Sequence, residues 1–193
     1  MVRKRACVFI SGSGTNLRSI IKNSRDYNFP INISLVVSNN RYAKGIFYAK
    51  KFSIPYICIN SKRQKFEKII LNQLIKKKIK LICLAGFMRI LSKKFIRDFK
   101  GKIINIHPSL LPKYKGLNTH RRAIKNKDKF SGATVHFVTP KLDSGKIILQ
   151  KKVKISKIET ENTLAKKVLK IEHKIYPAAI EKFLKTLVFK EKV

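Results

Sequence analysis

Asn105 and His107 are the residues whose types and spacing most invite chemistry. They stand in the run Lys102-Ile103-Ile104-Asn105-Ile106-His107-Pro108. Side chains alternate along an extended chain, so a carboxamide and an imidazole two residues apart share one face, with Ile106 on the other. A protonated imidazole beside a carboxamide N–H is a paired donor set for an oxyanion. Asp143, one of only ten acidic residues, lies in the loop Leu142-Asp143-Ser144-Gly145. If that loop folds over the strand end, the carboxylate orients the imidazole and raises its pKa. Ser109 follows Pro108 without an elbow motif and no cysteine is close, so the segment offers no nucleophile. Such a set supports direct acyl transfer between two bound substrates. A second use is equally open on these residues alone: polar side chains that cap loops at a strand end, and an Asp that caps its own turn.

The elements that must position these residues follow a regular order. Ile103 to Ile106 is a β-branched, apolar run that reads as a buried strand, and Pro108 ends it. Strands are expected at 6–10, 33–37, 55–59 and 81–84 as well, alternating with helices that begin near Leu17 and cover 43–52, 62–78 and 93–98. That alternation predicts an α/β fold with a doubly wound, mainly parallel sheet. Ligands of such sheets bind at the carboxyl ends of the strands. After the first strand comes Ser11-Gly12-Ser13-Gly14-Thr15-Asn16. A strand, a glycine-rich loop and a helix suit a phosphate, and the absence of a third glycine favours a phosphate monoester over a dinucleotide. A plain turn with Thr15 or Asn16 as N-cap stays open beside it. The loop Ala85-Gly86-Phe87-Met88-Arg89-Ile90-Leu91 is unusually apolar, as packing under the next helix or the wall of a pocket for a flat ring would require. Strands at 133–138 and 147–155 are expected to form an antiparallel late edge. A long C-terminal helix is expected over 161–186, interrupted near Pro177, with the lysine-rich last residues frayed.

Composition narrows the class. A chain of 193 residues with 44% hydrophobic residues suits one globular domain over 1–193. Its apolar runs fall short of the ~18 residues of a membrane span, and no signal peptide is evident, so a cytoplasmic protein without membrane contact is expected. Cys7, Cys58 and Cys83 have no paired spacing, and the four histidines lack ligand spacing, so no metal is expected. The net charge of +35 suggests anionic partners, but lysines spread along the whole chain point to compositional drift rather than to nucleic acid.

Five strings then carry a resemblance: Ile-Ser-Gly-Ser-Gly-Thr-Asn-Leu (10–17), Leu-Ala-Gly-Phe-Met-Arg-Ile-Leu (84–91), Asn-Ile-His-Pro-Ser-Leu-Leu-Pro-Lys-Tyr (105–114), Gly-Ala-Thr-Val-His-Phe-Val (132–138) and Leu-Asp-Ser-Gly (142–145). In this order, over nearly the whole chain, they resemble the phosphoribosylglycinamide formyltransferase family of purine biosynthesis. The resemblance implies a Rossmann-like formyltransferase fold and the transfer of a formyl group from 10-formyltetrahydrofolate, as co-substrate, to the amine of glycinamide ribonucleotide. It implies Asn105, His107 and Asp143 as the catalytic trio. It implies that the 11–16 loop (Gly12, Ser13, Gly14, Thr15, Asn16) and Glu172 hold the ribonucleotide. Arg63, Met88, Arg89, Ile90 and Leu91, together with Asn105, are implied to face the folate. Lys115 and Asn118 depart from the Pro and His of the family's pattern, and Ser144 stands where a second Gly is expected. Rival readings are a related formyltransferase such as that for methionyl-tRNA, a formyltetrahydrofolate hydrolase, and a basic nucleic-acid-binding module.

Overall fold

The computed structural model describes residues 3–190. Seven strands form one sheet in the order β3-β2-β1-β4-β5-β6-β7. They are β1 (Lys4–Ile10), β2 (Ile31–Ser38), β3 (Tyr56–Cys58), β4 (Leu81–Leu84), β5 (Lys102–His107), β6 (Phe130–Phe137) and β7 (Ile147–Lys154). The helices between and after them are α1 (Thr15–Ser24), α2 (Ile46–Lys51), α3 (Arg63–Lys76), α4 (Lys93–Asp98), α5 (Thr119–Lys125) and α6 (Glu161–Lys190). The pairs β1–β2, β1–β4, β2–β3 and β4–β5 are parallel, and β6–β7 is antiparallel. The chain forms two compact units, the first ending at Asn105 and the second beginning at Ile106.

In the first unit the strand order reverses between β1 and β4, the switch point of a doubly wound sheet. β1 and β4 are covered on both faces, so Ala6 to Ile10 and Leu81 to Leu84 are buried without alternation. Leu17, Ile20 and Ile21 of α1 and Phe66, Ile70 and Leu74 of α3 supply the helical side of this core. Burial pushes the Cys7 thiol up, and Cys7, Cys58 and Cys83 are free thiols. α2 begins at Ile46, three residues later than expected, with Gly45 at its N-cap.

In the second unit α6 packs on β6 and β7. The expected interruption near Pro177 does not occur, because α6 runs through it. Tyr176, Ala179 and Ile180 are fully buried on either side, and that packing outweighs the ~3 kcal/mol cost of a proline inside a helix. Residues 191–193 lie outside the described residues, and with them the expected fraying of the chain end. Among the described residues no helix is long and apolar enough to cross a membrane.

The start of α6 is fixed by reciprocal capping. The Thr160 N–H donates to Thr163 Oγ1 at 2.9 Å and the Thr163 N–H to Thr160 Oγ1 at 3.2 Å. Hydrogen bonds from Thr163 and then Lys167 hold the Glu159 carboxyl down at about 2, against an ordinary value of 4.5. A depressed folded-state pKa contributes stability above the unfolded value that is lost as pH falls through the folded one. The urea midpoint of wild type should therefore exceed that of Glu159→Gln at pH 6, and the gap should close between pH 4.5 and about 2. Parallel midpoints across that window would contradict this role for Glu159.

Candidate active site

His107 is the last residue of β5 and is 5% exposed. Its Nε2 lies 2.8 Å from the Tyr114 carbonyl oxygen. A carbonyl can only accept, so Nε2 carries the hydrogen in this geometry. On the other side of the ring, Nδ1 is 3.4 Å from Asp143 Oδ2. Both ring nitrogens thus face oxygen atoms.

Local chain geometry explains how these acceptors arrive. After Pro108, Ser109 Oγ donates to the Lys113 carbonyl at 2.6 Å, which gives this hydroxyl a structural task. Thr134 Oγ1 donates to the Ser109 carbonyl and accepts from the Leu111 N–H, tying the turn to β6. Tyr114 adopts φ 55°. Its hydroxyl donates to Asp128 Oδ2 at 2.8 Å, and the Arg122 guanidinium sits 4.9 Å above its ring. The side chain is therefore held from both sides while the carbonyl faces His107. Asp143 also has a left-handed backbone, φ 43°, an uncommon state for a residue other than glycine. The Gly116 N–H donates to its Oδ2 at 2.9 Å. Gly145 is required beside it, since a Cβ there would fall 1.8 Å from the Phe137 carbonyl oxygen. Ser144, the departure in this turn, donates its hydroxyl to the Lys141 carbonyl at 2.7 Å. Asn118 sits at φ 57° as the N-cap of α5 without a side-chain cap, and the Lys115 carbonyl accepts from Arg122 Nη1.

A fourth group joins the cluster. His136 is buried on β6, beside a bulge, and its Nε2 lies 3.6 Å from Asp143 Oδ1. Its Nδ1 is 2.9 Å from the Phe137 carbonyl, so the neutral ring carries its hydrogen there and turns the Nε2 lone pair towards the carboxylate. Burial pushes the His136 pKa down, against the Phe137 hydrogen bond and Asp143, which push it up, while His107 pushes it down further. Asp143 thus lies between two imidazole rings, with Oδ2 towards His107 and Oδ1 towards His136. His136 lies in the strand expected over 133–138 but is not among the site residues that the sequence singles out. A histidine inside an otherwise apolar strand was the available signal. Glu172 is buried on α6 in the same unit.

The remaining residues singled out in the sequence belong to the first unit. Asn105 is half-buried on β5 and stands in register with Leu84 of β4. Gly14, φ 72°, is the N-cap of α1, and no side chain caps that helix, so neither Thr15 nor Asn16 has the capping role that stood as the alternative. Gly14 and Gly45 pack back to back: a Cβ on Gly14 would lie 2.3 Å from Gly45 Cα, and the Gly45 N–H donates to the Gly12 carbonyl at 2.9 Å. A Cβ on Gly12, in contrast, would meet nothing within 4 Å. The loop is thus braced from beneath and open above Gly12, and α1 starts without a side-chain acceptor, as an anion site needs.

In the 85–91 loop, Phe87 stacks on Phe66 with centroids 5.8 Å apart and Leu91 is buried. Met88 and Ile90 remain 70% and 62% exposed. An exposed apolar pair on a loop anchored from behind suits a flat ring. Arg89 turns back instead, donating to the Ser61 carbonyl at 2.6 Å and lying over Phe66. Arg63 is exposed on the first turn of α3. Among the described residues no group of three or more His, Cys, Asp and Glu is arranged to hold a metal ion.

Residues 4–180 match the family model described as formyl transferase. The chain belongs to this family. It is 42% identical to the trifunctional purine biosynthetic protein adenosine-3 of Homo sapiens, over 93% of this chain and 18% of that protein. The chain therefore spans less than a fifth of the length of the trifunctional relatives it matches. It is 42% identical to the phosphoribosylglycinamide formyltransferase of Haemophilus influenzae, over 93% of this chain and 87% of that enzyme. The crystal structure of glycinamide ribonucleotide transformylase 1 from Symbiobacterium toebii is similar at a TM-score of 0.91 and 36% identity, covering 95% of this chain and 89% of that one.

The two loop glycines separate packing from openness. Gly14→Ala should lower stability by about 2 kcal/mol or more, through both its positive φ and the clash with Gly45. Gly12→Ala should stay within about 0.5 kcal/mol of wild type. Urea unfolding of the two variants checks the contrast, and equal losses would refute it.

Proposed function

We propose that this chain transfers a formyl group from 10-formyltetrahydrofolate to the amine of glycinamide ribonucleotide, acting as one formyltransferase domain over 1–193 in cytoplasmic de novo purine biosynthesis. The observation that carries the reading is the His107–Asp143 pair at the end of β5, in a chain that resembles the Haemophilus influenzae enzyme over 87% of that enzyme's length. Relatives and solved structures covered nearly end to end are named for glycinamide ribonucleotide or phosphoribosylglycinamide, which favours this acceptor over tRNA or water.

In this reading the amine attacks the formyl carbon directly, and the carbonyl oxygen becomes an oxyanion. Asn105 and His107 donate hydrogen bonds to it. His107 donates through Nε2, the nitrogen whose hydrogen points to the Tyr114 carbonyl in the structure. Asp143 orients the ring and takes the proton that the attacking amine sheds, with His136 behind it as a second acceptor. The proton passes to the folate nitrogen as the bond between that nitrogen and the formyl carbon breaks. Gly12, Ser13, Gly14, Thr15 and Asn16 bind the ribonucleotide phosphate through the open start of α1, and Glu172 contacts the same substrate. Met88, Ile90 and Leu91 offer an apolar face to the folate ring, with Arg63 and Asn105 as polar contacts. Arg89 contributes through its backbone, because its guanidinium is engaged by Ser61 and Phe66.

Formyl transfer with purified protein tests the reading. Asn105→Ala, His107→Ala and Asp143→Ala should each remain folded and lose at least ~100-fold in kcat. Near-wild-type turnover in His107→Ala would sink the assignment. The +35 charge should speed capture of both anionic substrates, so kcat/KM should fall with added salt while kcat holds. A kcat/KM indifferent to ionic strength would remove steering from the account.

A further inference from the structure

Ser11 follows the last residue of β1, at the switch point of the sheet, and makes hydrogen bonds to two other loops at once. Its N–H donates to the Gly86 carbonyl at 3.1 Å. Its carbonyl accepts from Asn40 Nδ2 at 3.2 Å. Its hydroxyl donates to Asn39 Oδ1 at 2.5 Å and accepts from the Met88 N–H at 2.8 Å. One small side chain thus spans the loop after β2 and the loop after β4, and it precedes the glycines of the loop after β1. The hydroxyl is used as donor and acceptor together, which no apolar residue of similar size reproduces.

We infer that Ser11 is a positioning residue that sets the backbone at Met88, and with it the apolar face offered by Met88 and Ile90; the inference rests on the folate reading given above. The rest of that loop is anchored by other groups. Phe87 stacks on Phe66, Arg89 donates to the Ser61 carbonyl, and Ser92 is fixed by Glu67, whose carboxylate accepts from the Ser92 N–H at 2.7 Å and from its hydroxyl at 2.5 Å. Between these anchors Met88 is 70% exposed, and its N–H is held by the Ser11 hydroxyl. Asn39 completes the arrangement by presenting its amide oxygen to that hydroxyl, which leaves the hydroxyl lone pairs directed at Met88.

Ser11→Ala removes the hydroxyl and keeps both backbone hydrogen bonds. The KM for the folate should rise about 10-fold, in line with the loss of one hydrogen bond that leaves its donor unsatisfied, with kcat reduced by no more than about 3-fold. The KM for the ribonucleotide should change less than the KM for the folate. Ser11→Thr, which keeps the hydroxyl, should restore the folate KM. Amide hydrogen exchange gives a second readout: the Met88 N–H should exchange faster in Ser11→Ala than in wild type. A folate KM within about 2-fold of wild type, equal increases in both KM values, or unchanged Met88 exchange would overturn the role. A wild-type protein without formyl transfer defeats the functional reading instead, and Met88 exchange still decides whether Ser11 positions that loop.

Discussion

The second unit depends on one constraint: the buried His107 ring must find a polar partner for each of its two nitrogens. A backbone carbonyl serves one side and a carboxylate the other. Each acceptor requires an uncommon backbone, at Tyr114 and at Asp143, where φ is positive in residues other than glycine. Such conformations cost of order 1–3 kcal/mol each and persist only where the surroundings over-determine them. Those surroundings are identifiable. Asp128 and Arg122 hold the Tyr114 side chain, Gly116 donates to Asp143, and the close passage of Gly145 past Phe137 fixes the turn. The strain lies on the two residues that determine which way the imidazole points.

The first unit solves a different problem with smaller groups. Its loops leave β1, β2 and β4 at a sheet switch point, where the chain must pass closely without filling the space a ligand needs. Gly14 against Gly45 gives the close approach, and the open space above Gly12 remains. Ser11 then joins the loops through hydrogen bonds rather than bulk. Bracing below and openness above is what a backbone-lined anion site requires, because the N–H groups at a helix start recognise charge only if no side chain occupies them first.

Much of this could be read in the sequence. Alternation of apolar strands and amphipathic helices gave the parallel sheet, and the β-branched run stopped by Pro108 gave the strand Lys102–His107. What the sequence hid has common physical causes. Pro177 reads as a helix break because proline's cost is local, whereas the packing of Tyr176, Ala179 and Ile180 that offsets it is not. The Tyr114 carbonyl leaves no mark at all, since every residue has one. His136 was written in the chain, but only the fold of the 139–145 turn reveals what faces it. The guanidinium of Arg89 turns towards Phe66 and Ser61 for a similar reason: those partners lie 23 and 28 positions away in the chain.

The acidic residues bear on how the +35 charge is to be understood. With ten carboxylates in the chain, several stand where a buried or half-buried donor needs an acceptor rather than where they would neutralise a surface. Glu67 accepts from both donors of Ser92 at the start of α4, Asp128 receives the Tyr114 hydroxyl, Asp143 faces two histidines, and Glu159 gathers Ser156 and Lys167 before α6. Replacing one of these by lysine would leave a donor without a partner, and at Asp128 and Glu159 it would add a like charge beside Lys113 and Lys167. Exposed positions carry no such penalty, and surface ion pairs contribute little in any case. An excess of lysine can therefore accumulate over the surface while the carboxylates at hydrogen-bonded positions are held in place by folding and by the site. The net charge describes the surface of this protein, and the few acids that remain describe its construction.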